Sequence, residues 1–254
     1  MSTQIAPGVL YLTREDWGAR PWVVGGHLMN PNEKTEVPIH HTVTVDLDAT
    51  PDLWETVEEV KVHMRRLQVI RSDITDVPYN AVIFLMADGT IIICEGRGFN
   101  RSGAHTIGHN RKGYGVAFAA NMEAPPNPNL PRFQPKINIF FGWVKAHHCR
   151  NLGLFFPHQQ VSATACPGKA VIPHMDEFRY TVAPEMEDDV ALILVRKDGE
   201  NAVWLTDWIW KYHVTAEQRD AARAIQVPFL DPMPEFLEVL LDGAKATIHP
   251  VMSS

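Results

Sequence analysis

The alternation of apolar and polar residues predicts strands and helices in turn along the first part of the chain. Val37, Ile39, His41 and Val43 occupy every second position, which predicts a strand over residues 35–44. A helix is expected next. Thr50 and Pro51 are typical of a helix start, and the apolar residues that follow recur at spacings of three and four as far as Leu67.

Three further elements complete the pattern. The apolar runs 81–86 and 91–94 flank Asp88-Gly89, a dipeptide that favours a hairpin turn. Residues 115–121 predict another strand, and residues 137–152 predict a helix with a broad apolar face. The order strand, helix, hairpin, strand, helix indicates an α/β fold, with a mixed central β-sheet flanked by helices.

Three stretches predict irregular structure. The residues up to about Asn30 are rich in Gly, Trp and Pro and contain one short strand signal. Residues 96–115 hold six glycines, which favour a long ordered loop, and the prolines of 125–131 indicate a linker.

A change in charge marks a boundary near residue 180. Residues 181–254 hold 13 acidic and 6 basic residues, a net charge of −7, which is the net charge of the whole chain. We therefore expect two domains, 1–180 and 181–254, the second a small acidic α+β module. Strands are expected on both sides of the turn Asp198-Gly199, and a helix over 215–226.

Aromatic residues are concentrated in this second module. Trp204, Trp208, Trp210 and Tyr212 alternate, which predicts one face of an extended segment. Two interpretations remain open: a platform on which sugar rings stack, or a small core built on tryptophans.

Composition excludes several classes of protein. Hydrophobic residues make up 45% and charged residues 21%, as in ordinary globular proteins, and no apolar run approaches the ~18 residues of a membrane span. The acidic balance argues against nucleic-acid binding through charge. No secretory signal is visible at the start of the chain. Cys94, Cys149 and Cys166 show no paired spacing, so a disulfide scaffold is not expected.

The most informative residues for chemistry are His158 and Cys166, eight positions apart in the segment FPHQQVSATACPG. Zinc is bound by His nitrogen and Cys sulfur, and a loop that doubles back could bring both to one ion. Taken alone, this pair fits a buried cysteine and a surface histidine equally well.

Four segments in order carry a more specific resemblance: REDWGARP at 14–21, IHHT at 39–42, the long segment 77–105, and HQQVSATACPG at 158–168. Their order and content resemble the type 2 zinc-dependent N-acetylmuramoyl-L-alanine amidases and the related peptidoglycan recognition proteins. The resemblance covers about residues 10–175.

The resemblance implies a Zn²⁺ ion held by His40, His158 and Cys166. Three protein ligands leave a fourth position for water, as in catalytic zinc sites. His40 and His41 are neighbours on a predicted strand, so only one of them can face the metal. The resemblance favours His40.

It also implies two catalytic residues. Tyr79, in the segment PYN, matches the catalytic tyrosine of the family, and an aromatic residue packed on the core is the alternative. Thr164 departs from the lysine that stabilises the oxyanion in several bacterial and phage members, but resembles the threonine that amidase-active recognition proteins have at this position. A hydroxyl is a weaker, uncharged donor than an ammonium group.

Candidate substrate contacts lie in the glycine-rich loop 96–115. His105 and His109 lie where relatives border the substrate groove, and Arg97 and Arg101 could meet carboxylates of a peptide. Histidines without a role and solvated arginines are the alternatives.

The function implied is hydrolysis by zinc-activated water of the amide bond between N-acetylmuramic acid and L-alanine in bacterial peptidoglycan. The acidic tail favours a phage endolysin that waits in the host cytoplasm before lysis, and the tail would then bind the cell wall. The alternative is a peptidoglycan-binding protein without catalysis. No nucleic acid or membrane partner is expected, and the sequence leaves the oligomeric state open.

Overall fold

The computed structural model describes residues 2–21, 26–43, 53–70, 76–124 and 128–182, and the backbone of 193–196, 203–206, 211–214 and 229–230. The chain divides into two compact units, Met1–Pro184 and Glu185–Ser254. Over the same described ranges, no helix is both long enough and apolar enough to cross a bilayer.

The described part of the first unit is built on a mixed seven-stranded sheet in the order β1-β2-β5-β4-β6-β3-β7. Strands β4 and β5 form the predicted hairpin, and β3 runs parallel to both of its neighbours, β6 and β7. The predicted fold class is therefore confirmed. The elements are β1 (Thr3–Ala6), β2 (Val9–Leu12), β3 (Glu36–His41), α1 (Val57–Leu67), β4 (Ala81–Leu85), β5 (Ile91–Glu95), β6 (Val116–Phe118), α2 (Leu130–His147) and β7 (Leu154–Pro157).

Helices cover both faces of this sheet, so its central strands are apolar on both sides. Along β4, Ile83 packs in the core that contains Phe133, Ile137 and Phe140 of α2. Its neighbours Val82 and Phe84 pack in a separate core that contains Val60, Met64 and Leu67 of α1. Successive side chains of a strand point to opposite faces, and each face here meets its own helix. Strand β4 is therefore buried on both of its faces.

The hairpin turn agrees with its sequence signal. Gly89 has φ +87°, a left-handed conformation that glycine adopts without strain, and the Thr90 N–H donates to Asp88 Oδ1 at 2.8 Å.

The expected start of α1 was wrong. The helix begins at Val57 and is capped by Thr56. The Thr56 hydroxyl accepts from the Glu59 N–H at 3.2 Å, and the Glu59 carboxylate accepts from the Thr56 N–H at 3.0 Å. This reciprocal pair is a capping box, a stronger start signal than Thr followed by Pro. Thr50 itself lies outside the described residues.

The expected bounds of α2 were also wrong. The helix begins at Leu130, because Pro131 falls in its first turn, where a missing N–H leaves no bond unmade. It ends at His147, because His148 leaves helical geometry with φ −130°. The linker prediction therefore fails for Leu130 and Pro131. Strand β6 is shorter than expected, and the N-terminal segment holds two strands rather than one.

The second unit contains a sheet in the order β10-β9-β8-β11, formed by β8 (Ile193–Arg196), β9 (Val203–Thr206), β10 (Lys211–Val214) and β11 (Phe229–Leu230). Trp204 pairs with His213, and Tyr212 pairs with Leu205. Trp204 and Tyr212 thus belong to different strands, and the single extended segment predicted from their spacing was wrong. Trp208, Trp210 and the helix expected over 215–226 lie outside the described residues.

Candidate metal centre

The two adjacent histidines of β3 face opposite sides of the sheet. Val37 and Ile39 pack in the core under α2, so the alternation along the strand turns His41 toward that core and His40 away from it. The side chain of His41 is held there, because its Nδ1 accepts the Met122 N–H at 3.1 Å. His40, which is 1% exposed, faces the other candidate ligands.

His40, His158 and Cys166 converge. Their ligand atoms all lie within 4.8 Å of one another, and the Nδ1 of His40 is 3.5 Å from the Sγ of Cys166. In tetrahedral zinc sites, bond lengths of ~2.0–2.3 Å place ligand atoms about 3.3–3.6 Å apart. The donor set and the separation between His40 Nδ1 and Cys166 Sγ both fit zinc. No other group of this kind is found among the residues that the structure describes.

The sheet and one turn bring the two distant ligands to His40. Strand β7 pairs with β3 so that Ile39 lies opposite Pro157, and His158 follows at the level of His40. The Gln159 N–H then donates to the Cys166 carbonyl at 2.8 Å, which draws the loop of Cys166 back onto the histidine. Gly168, with φ +96°, lets this loop approach the Met122 backbone, where any Cβ would collide.

Burial sets the protonation of the three candidate ligands. It lowers the pKa of the His40 imidazole well below its ordinary value, with smaller contributions from His105 and His158, and it also lowers the pKa of His158. Burial raises the pKa of the Cys166 thiol to about 11. The imidazoles are therefore neutral and able to bind a metal, while the thiol needs a nearby cation to become a thiolate.

Tyr79 and Thr164, the two predicted catalytic residues, both lie beside this cluster. The Tyr79 ring is 5.3 Å from the His40 ring, and its hydroxyl donates to the His41 carbonyl at 3.4 Å. Thr164 is exposed, and its Oγ1 accepts the Cys166 N–H at 3.2 Å. A hydroxyl that accepts one bond still has a proton to donate.

His105 lies on another side of His40, with the ring centroids 5.0 Å apart. Its Nδ1 is 3.1 Å from the Thr106 hydroxyl, and burial lowers its pKa to about 3. Its Nε2 has no hydrogen-bond partner among the described residues. The structure thus places His105, the predicted substrate residue, beside the candidate ligand His40. His109 is directed elsewhere, to Glu36 at 2.8 Å.

The two predicted substrate arginines are engaged with backbone. Arg97 is 5% exposed, and its guanidinium donates to the carbonyls of Val77 at 2.9 Å and Ser102 at 3.3 Å. Arg101 donates to the Gly26 carbonyl at 3.1 Å. These bonds give both side chains a role in holding the loop.

Three residues that organise the site were not predicted from the sequence. Asn80 donates to the carbonyls of Gly98 at 2.7 Å and Arg101 at 3.0 Å. Lys34 donates to the carbonyls of Arg101 at 2.9 Å and Gly113 at 3.1 Å. Lys34 is fully buried, and this burial lowers its pKa to about 8. Thr106 is the third. Lysine is rarely buried, so its residue type gave no signal for Lys34. Thr106 could have been found from the sequence, because it directly follows the candidate residue His105.

A cavity of about 370 Å³ is formed in part by the segment that carries Cys166. Gln159 and Ala165, the chain neighbours of His158 and Cys166, line it together with Glu123 and Lys169. The last two form an ion pair at 2.8 Å.

Comparison with individual known proteins finds peptidoglycan-recognition proteins and an amidase. No profile of a known protein family matches the chain. The peptidoglycan-recognition protein SA of Drosophila melanogaster is 32% identical over 168 residues, which cover 66% of this chain and 77% of that protein. The N-acetylmuramoyl-L-alanine amidase of Homo sapiens is 32% identical over 131 residues, which cover 48% of this chain and 22% of the human protein.

A solved structure is similar as well. It is the ectodomain complex of peptidoglycan recognition proteins LCa and LCx with bound tracheal cytotoxin. The TM-score is 0.51 at 26% identity, and the match covers 63% of this chain and 90% of the other.

Proposed function

The chain belongs to the peptidoglycan recognition protein family, and from this premise we propose that it is a zinc-dependent N-acetylmuramoyl-L-alanine amidase. The bond cleaved is the amide between the lactyl group of N-acetylmuramic acid and L-alanine of the stem peptide. The similarity to the human amidase supports this reaction, and a relative with bound tracheal cytotoxin supports peptidoglycan as the partner.

The observation that carries the proposal is the convergence of His40, His158 and Cys166, with ligand atoms within 4.8 Å. When bound by these residues, zinc would polarise the scissile carbonyl and lower the pKa of a water molecule toward ~7. With three ligands supplied by the protein, one coordination position stays available to the reaction.

Tyr79 and Thr164 would supply the hydrogen bonds that hydrolysis needs. Attack on an amide carbon places negative charge on the carbonyl oxygen, which a prepositioned donor stabilises. The Tyr79 hydroxyl, which donates to the His41 carbonyl at 3.4 Å, is proposed to donate to that oxygen when the substrate is bound. The Thr164 hydroxyl can donate a hydrogen bond to the substrate while it still accepts one from the Cys166 N–H.

The groups that surround the cluster offer places for the rest of the substrate. His105 lies beside His40, and the cavity is lined by Gln159 and Ala165, the chain neighbours of the other two candidate ligands. The cavity is of the size that small-ligand sites have, ~300–1,000 Å³.

The test is to incubate the full chain with purified peptidoglycan and to measure two products separately. An amidase releases new N-terminal alanine and no new reducing sugar. Addition of a chelator should abolish the release, and zinc should restore it. New reducing ends without free alanine would contradict the proposed reaction.

The chain offers a matched pair of control variants. Cys166→Ala and Cys94→Ala each remove one buried thiol, but only Cys166 lies in the cluster. We expect Cys166→Ala to lose zinc and activity, and Cys94→Ala to keep both. A protein that binds peptidoglycan and zinc but releases no alanine would instead be a recognition protein.

The biological setting is part of the proposal. We propose a lytic role, with the enzyme made in the cytoplasm of a bacterial host and acting on its wall, as in a phage endolysin. Lysis of intact bacteria by added enzyme, after the outer barrier is permeabilised, tests this role. Cleavage of isolated peptidoglycan without lysis would contradict it.

A further inference from the structure

The candidate ligand His40 has two ring nitrogens with different neighbours. Its Nδ1 faces Cys166 Sγ at 3.5 Å, and its Nε2 faces the hydroxyl of Thr106 at 3.3 Å. If Nδ1 binds the metal, Nε2 carries the proton, so the Thr106 oxygen must accept it.

Thr106 is well placed for this bond. It is 2% exposed, so water does not compete for its hydroxyl. Asn110 fixes its backbone, because the Asn110 Oδ1 accepts the N–H groups of His105 at 2.7 Å and Thr106 at 2.8 Å. The hydroxyl therefore reaches His40 from a fixed part of the loop.

The hydroxyl proton has a defined acceptor as well. Once Thr106 accepts from His40, its own O–H can point to the Nδ1 of His105 at 3.1 Å. The three side chains then form one directed chain of donors, from His40 through Thr106 to His105. In this arrangement His105 accepts at Nδ1, and its proton is on Nε2, which has no hydrogen-bond partner among the described residues.

We propose that Thr106 is a positioning residue for the metal centre: its hydroxyl accepts the Nε2–H of His40 and holds Nδ1 toward the ion. The inference rests on the proposed zinc site. In zinc proteins, ligand histidines donate their second ring N–H to a fixed acceptor, and loss of that acceptor lowers metal affinity about 10–100-fold.

The experiment compares zinc affinities of the full chain by competition with a chelator of known affinity. Thr106→Val keeps the shape and removes the hydroxyl, and Thr106→Ser keeps the hydroxyl. We expect Thr106→Val to bind zinc about 10–100-fold more weakly, and Thr106→Ser to bind like the parent. Thr90→Val removes a hydroxyl that bonds Asp88 in the hairpin turn and should leave the affinity unchanged.

A spectroscopic measurement separates positioning from simple stabilisation of the loop. With cobalt(II) in place of zinc, the visible absorption bands report ligand geometry, so Thr106→Val should shift them and Thr106→Ser should not. Thr106→Ala, which is smaller than threonine, serves as a second variant if valine prevents folding. Parent affinity and parent bands in a folded Thr106→Val or Thr106→Ala would overturn the inference. A parent that binds no zinc would overturn the zinc site itself, so the two failures are distinguishable.

Discussion

At the scale of single residues, the centre depends on which way a side chain is turned. His40 and His41 have the same chemistry and adjacent positions, yet one meets Cys166 and the other the Met122 N–H. The period of two along a strand makes this division certain, but does not say which histidine faces the ligands. The family resemblance chose His40, and the choice agrees with the observed cluster.

Tyr79→Phe tests the residue with the clearest proposed chemical role. Only the hydroxyl is removed, so the fold and zinc content should be unchanged while kcat falls on the order of 10²–10³-fold. Release of N-terminal alanine and zinc content should be measured on the same preparation. Unchanged turnover would leave Tyr79 a packing residue beside His40.

At the scale of elements, local signals located the hairpin better than the helices. The hairpin of β4 and β5 was predicted correctly, because Asp88-Gly89 and two apolar runs determine it locally. The start of α1 was missed although its capping box stands in the sequence, since Thr50-Pro51 offered a competing start. The buried Lys34 and the Thr106 contact depend on tertiary packing, which no local pattern contains.

The contact of α1 with the sheet predicts a pH effect on stability. The ring of His63 in α1 packs against the rings of Trp54 and Phe84, with centroid distances of 4.8 and 5.7 Å. Burial, with a smaller contribution from the positive charge of Arg66, lowers the pKa of His63 from 6.5 to about 4. Between these pH values the unfolded chain holds the proton and the folded chain does not. Stability from this residue is therefore lost as the pH falls from 6.5 to 4, by at most ~3 kcal/mol.

Urea unfolding of His63→Phe at several pH values, with chelator present, checks this expectation. The variant should lose less stability than the parent between pH 6.5 and pH 4. His27→Phe, which replaces an exposed histidine, should follow the parent. Equal slopes for His63→Phe and the parent would show that another group causes the acid sensitivity.

At the scale of the whole molecule, all the proposed ligands and catalytic residues belong to the first unit. A chain that ends at Pro184 should fold, bind zinc and cleave soluble muropeptides, because Cys166 is the last of them. Alanine release from a soluble fragment by this chain and by the full chain makes the comparison. Failure to fold would show that the first unit needs Glu185–Ser254.

Lysis of intact cells by the full and the shortened chain tests whether the second unit binds the cell wall. If it tethers the enzyme to the wall, its removal should weaken lysis by lowering the local enzyme concentration. Its removal also takes away the whole net charge of −7, and an anionic wall repels a neutral protein less. Stronger lysis by the shortened chain would contradict the tether.

The position of β3 between two parallel strands determines when the candidate metal site can form during synthesis. His40 and Cys166 are 126 positions apart, and β3 meets β7 only after the intervening hairpin and α2 have been synthesised. Contacts of such long sequence separation form slowly and late. A chain growing on the ribosome therefore lacks one of the three candidate ligands until Cys166 has emerged, and chains that end before Cys166 cannot form the site.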